Sequence, residues 1–247
     1  MPPKPPPPTH FLCIPLSGPQ LSRSLSSFKA DVSGVGASSK RSTVIPEQAV
    51  RPPGTLHLTL GVMSLREPGA ISRAITVLQS MRLRDILDKA SAQQEGGDKE
   101  GEERPPLSLT MRGLEAMRRA SATTVLYVPP VDRGGVLRRF CELLRQSFLD
   151  AGVMADDRRP LLLHATVVNT IYVKKQQQQQ QDDGQRRRQS RQRLELDARD
   201  LIARYKDYVW AEELSVRTVA ICRMGAIKVE GSDGDQAYEV EGEIHFD

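Results

Sequence analysis

The sequence predicts an α+β protein built as two pseudo-symmetric lobes flanking a central cleft. Three observations carry this expectation. The chain reads as two successive copies of strand, helix, strand, helix, strand. The middle strand of each copy carries a histidine with a threonine two positions on, His57 with Thr59 and His164 with Thr166, and the histidines lie 107 positions apart. The length of 247 residues suits one two-lobed domain or one domain with insertions, and at 38% apolar and 4% aromatic residues the packed part must be shorter than the chain.

Residues 1–8 form a proline-rich leader, expected to be extended, solvated and disordered. Residues 9–16 (T-H-F-L-C-I-P-L) read as a strand, and Ser17 and Pro19 suit a helix start. Leu21, Leu25, Phe28 and Val32 then fall on one helical face, with an end near Ser33-Gly34. A Ser/Gly/Pro-rich loop runs to Gly54. Thr55 to Val62 alternates apolar and polar residues, the pattern of a half-buried strand. Residues 70–89 show helical spacing through Ile71, Ile75, Leu78 and Leu87, a polar tract at 91–106 is expected to be a disordered insertion, and Leu107 to Leu114 reads as a strand.

The second copy begins with a strand at Thr123 to Val128. Asp132 can cap a helix whose apolar stripe is Val136, Leu137, Phe140, Leu143, Leu144, Phe148 and Leu149. Leu161 to Val173 reads as a long strand, the Gln/Arg-rich segment at 174–195 as a second disordered insertion, Ala198 to Trp210 as a helix and Val216 to Met224 as a strand. The lobes are expected at about 9–122 and 123–228, with 229–247 an acidic tail or an edge strand at Tyr238 to Phe246.

The net charge of +4 points to nucleic acid until it is located. Residues 174–193 hold seven basic side chains against two acidic ones, so the rest of the chain is close to neutral. No segment has the apolar core of a signal peptide or the length of a membrane span, which argues against export and membrane insertion. Cys13, Cys141 and Cys222 are odd in number and widely spaced, and read as reduced core thiols of a cytoplasmic or nuclear protein.

In a strand, residues two apart share a face. His57 and Thr59 therefore lie opposite Leu56, Leu58 and Leu60, and His164 and Thr166 lie opposite Leu163, Ala165 and Val167. Two imidazoles converging from separate lobes suit in-line displacement at phosphorus. One neutral ring takes a proton from the nucleophile while the other, protonated, gives one to the leaving oxygen, and an ordinary pKa near 6.5 allows both states. The threonine hydroxyls can donate to non-bridging oxygens as charge grows there. This chemistry calls for no metal and no cofactor. Pseudo-symmetry leaves the acid and the base unassigned.

The paired H-x-T-hydrophobic motifs in a duplicated chain resemble the 2H phosphoesterase superfamily. Residues 53–63 (P-G-T-L-H-L-T-L-G-V-M), residues 164–172 (H-A-T-V-V-N-T-I-Y) and the opening F-L-C-I-P-L resemble the phosphoesterase-like domain of A-kinase anchor proteins and of activating signal cointegrator complex subunit 1. The likeness spans about 9–225. It implies a bilobal cleft fold, with His57, Thr59, His164 and Thr166 at catalytic positions. It also implies metal-free hydrolysis of 2′,3′-cyclic or RNA-terminal phosphodiesters, or else non-catalytic binding of an AMP-like nucleotide in the same cleft.

The sequence departs from its relatives in two respects. A proline leader stands where a KH module with a G-x-x-G loop is often found, and no amphipathic helix beyond the one at 136–149 is left over, so kinase regulatory-subunit binding is not expected. Arg186, Arg187 and Arg188 can grip RNA phosphates, although a solvated low-complexity insertion is the commoner use of such a tract. His10 and His245 lack the following threonine and read as structural or exposed. A zinc site on His57 and His164 would want a third ligand that the spacing does not offer. Phe11, Tyr127 and Tyr172 could stack a base, but in so aromatic-poor a chain they read first as core.

Overall fold

The computed structural model describes residues 6–33, 44–92, 107–156, 158–173, 194–232 and 234–246. The leader's first five residues and most of the two expected insertions, including Arg186, Arg187 and Arg188, lie outside this set.

In chain order the strands are β1 (His10–Pro15), β2 (His57–Met63), β3 (Ser108–Arg112), β4 (Glu115–Ala116), β5 (Val125–Val128), β6 (Pro130–Val131), β7 (Ala165–Asn169), β8 (Val209–Ser215), β9 (Thr218–Arg223), β10 (Ile227–Lys228), β11 (Gln236–Ala237) and β12 (Val240–His245). The helices are α1 (Pro19–Val32), α2 (Ala70–Gln79), α3 (Leu83–Ala92), α4 (Val136–Asp150) and α5 (Arg199–Arg204). The larger sheet has the order β12-β9-β1-β2, and two three-stranded sheets have the orders β4-β5-β7 and β6-β3-β8.

The repeat is visible in the pairing. β1 runs antiparallel to β2 just as β5 runs antiparallel to β7. β3, the third strand of the first copy, pairs with β8, a strand that the sequence did not predict, and not with β9, the strand expected at 216–224. A cut near residue 122 separates the two motif strands, but hydrogen bonding divides the chain differently. β9 returns to pair with β1, and β12 lies beyond it as an edge, so the sheet carrying the first motif is built from both ends of the chain.

Several expected elements differ, each for a local reason. The helix expected over 70–89 is two helices, because the Ser80 hydroxyl donates to the Val77 carbonyl (2.8 Å) and closes α2 before Leu83 starts α3. Ser91 and Ala92, placed in the insertion, finish α3. The strand expected over 161–173 forms a ladder over Ala165–Asn169 alone. The Asn169 side chain accepts from the Ile171 amide (3.1 Å) and turns Thr170–Tyr172 into a 3-10 helix. The helix expected through Trp210 stops at Arg204, and Trp210 instead lies on β8, fully buried, with Nε1 donating to the Gly113 carbonyl (2.8 Å). Asp132 does cap α4, accepting from the Leu137 and Arg138 amides at 3.2 and 2.8 Å.

The main core joins α1, α4, the buried faces of β2 and β7 and Trp210. All three cysteines are free and buried, and Cys13 Sγ touches Cys222 Sγ at 3.8 Å. Among the described residues, no helix is long and apolar enough to cross a membrane.

Candidate active site

Alternation along β2 buries Leu56, Leu58 and Leu60 and leaves His57 and Thr59 partly exposed. The same alternation at β7 buries Leu163, Ala165 and Val167 and leaves His164 and Thr166 partly exposed. The loop entering β2 stitches the two motif strands together. Val50 bridges Val168 antiparallel, and the Arg51 amide donates to the Val167 carbonyl (2.9 Å). β2 and β7 are therefore neighbours although they belong to different sheets.

Each imidazole is fixed by the same bond. His57 Nδ1 lies 2.8 Å from the Thr55 carbonyl, and His164 Nδ1 lies 2.8 Å from the Leu162 carbonyl, in both cases two residues upstream. A carbonyl can accept but not donate, so Nδ1 carries the hydrogen in both rings. Nε2 is then the atom left for proton transfer, bare in a neutral ring and a donor in a charged one.

The rings sit against aromatic neighbours on β1 and β5 and in the loop between β11 and β12. Phe11 lies tilted against His57 (centroids 4.8 Å), Tyr238 meets His57 edge-on (5.3 Å), and Tyr127 meets His164 edge-on (5.3 Å). Burial lowers the His57 pKa from its ordinary 6.5 to about 4, with the positive charges of His164 and Arg51 adding to the effect and the bond to Thr55 opposing it. His57 is thus neutral throughout the physiological range. Tyr127 donates to Glu115 Oε2 (2.6 Å), and burial together with that carboxylate pushes its phenol up to about 12.

Phe11 and Tyr127 are buried, as a core reading requires, and yet both border a motif histidine. Sequence reasoning missed Arg51 and Tyr238. Arg51 is hidden in a Pro-Pro loop and Tyr238 in the acidic tail, and neither carries a local pattern that marks it. His10 is buried against Thr9 Oγ1 (2.8 Å) and Glu241 (3.4 Å), and His245 pairs with Thr218 Oγ1 (3.1 Å) at the sheet edge, so both stand apart from the motifs. Among the described residues, no group of three or more His, Cys, Asp and Glu side chains is arranged to hold a metal.

The two His-x-Thr strands stand in a mixed fold of helices and antiparallel sheets of the phosphoesterase type. The model of the AKAP7 2′5′ RNA ligase-like domain matches residues 8–246, and the chain belongs to that family within the 2H phosphoesterase superfamily. An uncharacterized protein of Schizosaccharomyces pombe, C15D4.13c, is 23% identical over 230 residues, covering 93% of this chain and 91% of its own. A crystal structure of a phosphoesterase superposes with a TM-score of 0.52 at 14% identity, over 97% of this chain and 98% of that one. TT0787 of Thermus thermophilus gives 0.52 at 14%, over 96% and 97%. E. coli LigT, crystallised with NADP+, gives 0.50 at 14%, over 97% of both chains. These likenesses establish the shared fold, and family membership places the chain among phosphoesterase-type proteins.

Proposed function

We propose that the protein is a metal-independent phosphodiesterase acting on 2′,3′-cyclic or RNA-terminal phosphodiesters. The observation that carries this reading is the matched pair of imidazoles on neighbouring strands, each with Nδ1 tied to a carbonyl and Nε2 left for catalysis. His57, neutral by burial, is the general base. Its Nε2 takes a proton from water as the water oxygen bonds to phosphorus. The bond from phosphorus to the departing ribose oxygen breaks, and His164 Nε2–H protonates that oxygen. The Thr59 and Thr166 hydroxyls donate to the non-bridging oxygens, whose charge is greatest in the transition state. Exchange of the two protons with solvent restores the starting state.

The test is hydrolysis of a 2′,3′-cyclic nucleotide or a 2′,3′-cyclic RNA end in EDTA. His57→Ala and His164→Ala should each abolish it at unchanged melting temperature. Activity that survives in both variants overturns the proposal. Deleting residues 176–193 should weaken RNA binding and leave mononucleotide turnover intact if Arg186, Arg187 and Arg188 serve as phosphate contacts.

A second reading is retention of an AMP-like nucleotide without turnover. It is favoured by the rings of Phe11, Tyr238 and Tyr127 around the two imidazoles, surfaces suited to a base. Calorimetric affinity for AMP with no product from a panel of phosphodiesters would select it.

A further inference from the structure

Arg51 lies six positions before His57, and only 6% of its surface is exposed. Its backbone belongs to neither motif strand yet is anchored to the second one through Val167. Its guanidinium stacks on the Tyr172 ring, with Cζ 3.8 Å from the centroid, and faces the Tyr238 hydroxyl. Tyr238 in turn meets the His57 ring. One guanidinium nitrogen, Nη2, is fully buried with no hydrogen-bond partner, and no carboxylate among the described residues forms an ion pair with this side chain. Its positive charge is felt at His57.

A buried cation without a counter-ion is unfavourable, and stacking on Tyr172 together with the Tyr238 hydroxyl recovers only part of that cost while Nη2 stays unmet. A fixed donor with an unmet hydrogen, whose charge reaches the first motif's imidazole and which forms no ion pair with a described carboxylate, matches the requirements of an oxyanion site. Arginine suits this role because its fork geometry fits phosphate and its charge persists at every working pH.

We infer that Arg51 is a phosphate-binding residue of the cleft, donating from Nη2 to a non-bridging oxygen of the phosphate held between His57 and His164. The inference rests on the proposed position of that phosphate. It adds to the twin motifs a third, permanently charged donor supplied by the loop that joins the two strands. A phosphodiester carries one negative charge and the transition state for its hydrolysis carries two, so the guanidinium stabilises the latter more. Bound anion would also offset the positive field at His57 and raise the basicity of the ring that must accept a proton.

The experiment compares the wild type, Arg51→Met and Arg51→Lys by thermal denaturation with and without inorganic phosphate, and by kcat/KM on a 2′,3′-cyclic nucleotide. Methionine keeps an apolar chain on Tyr172 and removes a cation that forms no ion pair among the described residues. Unliganded Arg51→Met should therefore melt no lower than the wild type. It should lose the stabilisation that phosphate confers on the wild type, and kcat/KM should fall by about 10²- to 10³-fold. Arg51→Lys should recover part of both. Phosphate stabilisation that is absent in the wild type, or undiminished in Arg51→Met, overturns the inference. Failure of both variants to fold overturns it too, because the guanidinium would then be a structural group. Loss of the phosphate response in Arg51→Met, in a protein that turns over no diester, would leave Arg51 as an anion site and reject the phosphodiesterase reading alone.

Discussion

His57 and His164 are held by equivalent bonds, each Nδ1 2.8 Å from the carbonyl of the residue two positions earlier. One local device, used once in each copy of the repeat, sets both tautomers and leaves both Nε2 atoms clear of that bond. The environments around the rings then differ. His57 is enclosed by Phe11 and Tyr238 and neighbours the Arg51 charge, whereas His164 meets Tyr127, whose hydroxyl is engaged with Glu115. The duplication supplies two alike groups in unlike surroundings, and the proposed division into base and acid rests on that difference.

The threonines should separate catalysis from stability. Thr59→Val and Thr166→Val keep shape and strand preference and delete one donor each. Each should lower kcat by about 10²-fold, with little change in KM and with melting temperature held. Steady-state kinetics on a 2′,3′-cyclic nucleotide checks this, and a loss confined to KM would show that the hydroxyls bind ground state and transition state alike.

Acid should act on His57 twice. The ring titrates near 4 in the folded protein and near 6.5 when unfolded, so between those values the unfolded chain binds more protons. Stability attributable to His57 is complete above pH 6.5, is lost as pH falls towards 4 and changes no further below it, a total of about 3 kcal/mol. Denaturant titrations of the wild type and His57→Gln over this range should diverge in that direction. In kinetics, the acid limb of kcat/KM reports the free protein and should lie near the same low value. A bound phosphate raises the ring's pKa, so the limb of kcat should lie at higher pH.

Much of the site was legible because its signals are local. Period-two alternation placed His57 with Thr59 and His164 with Thr166 on one face of their strands, and β2 and β7 bury the opposite residues as that pattern requires. What escaped depends on distant partners. Arg51 gains its meaning from a backbone bond to Val167, and Tyr238 gains its meaning from a turn that folds back onto Gly54. Likewise, Ala198 to Trp210 has helix-compatible spacing, and β8 exists because β3 offers it a ladder.

Trp210 tests that last point. It is the chain's one tryptophan, packed among Phe28, Tyr205 and Tyr208 with its indole N–H on Gly113. Trp210→Phe keeps the apolar packing but leaves the Gly113 carbonyl without that donor, and should cost about 1–3 kcal/mol. Trp210→Ala adds a cavity and should cost about 3–5 kcal/mol. Chemical denaturation followed by circular dichroism measures both. A neutral Trp210→Ala would mean that the β3–β8 pair contributes little to holding the second motif's lobe.

Two glycines near the first motif should respond differently to the same small change. A methyl group on Gly54 would come within 2.5 Å of the Gln236 carbonyl oxygen, a backbone atom, and the Gly54 amide already donates to Asp235 Oδ1 (3.1 Å). The segment at 235–238 must shift to admit it, and Tyr238 must shift with it, away from His57. At Gly61 the methyl would collide with the Met154 thioether instead. Met154 ends in a flexible chain, and methionine repacks readily. Gly54→Ala should therefore lower both stability, by about 1–3 kcal/mol, and kcat/KM. Gly61→Ala should lower stability alone, and Met154→Ala in the same chain should relieve part of the clash, giving a favourable coupling in the double-mutant cycle. Equal losses of activity at the two positions would show that the 235–238 segment does not position the surroundings of His57.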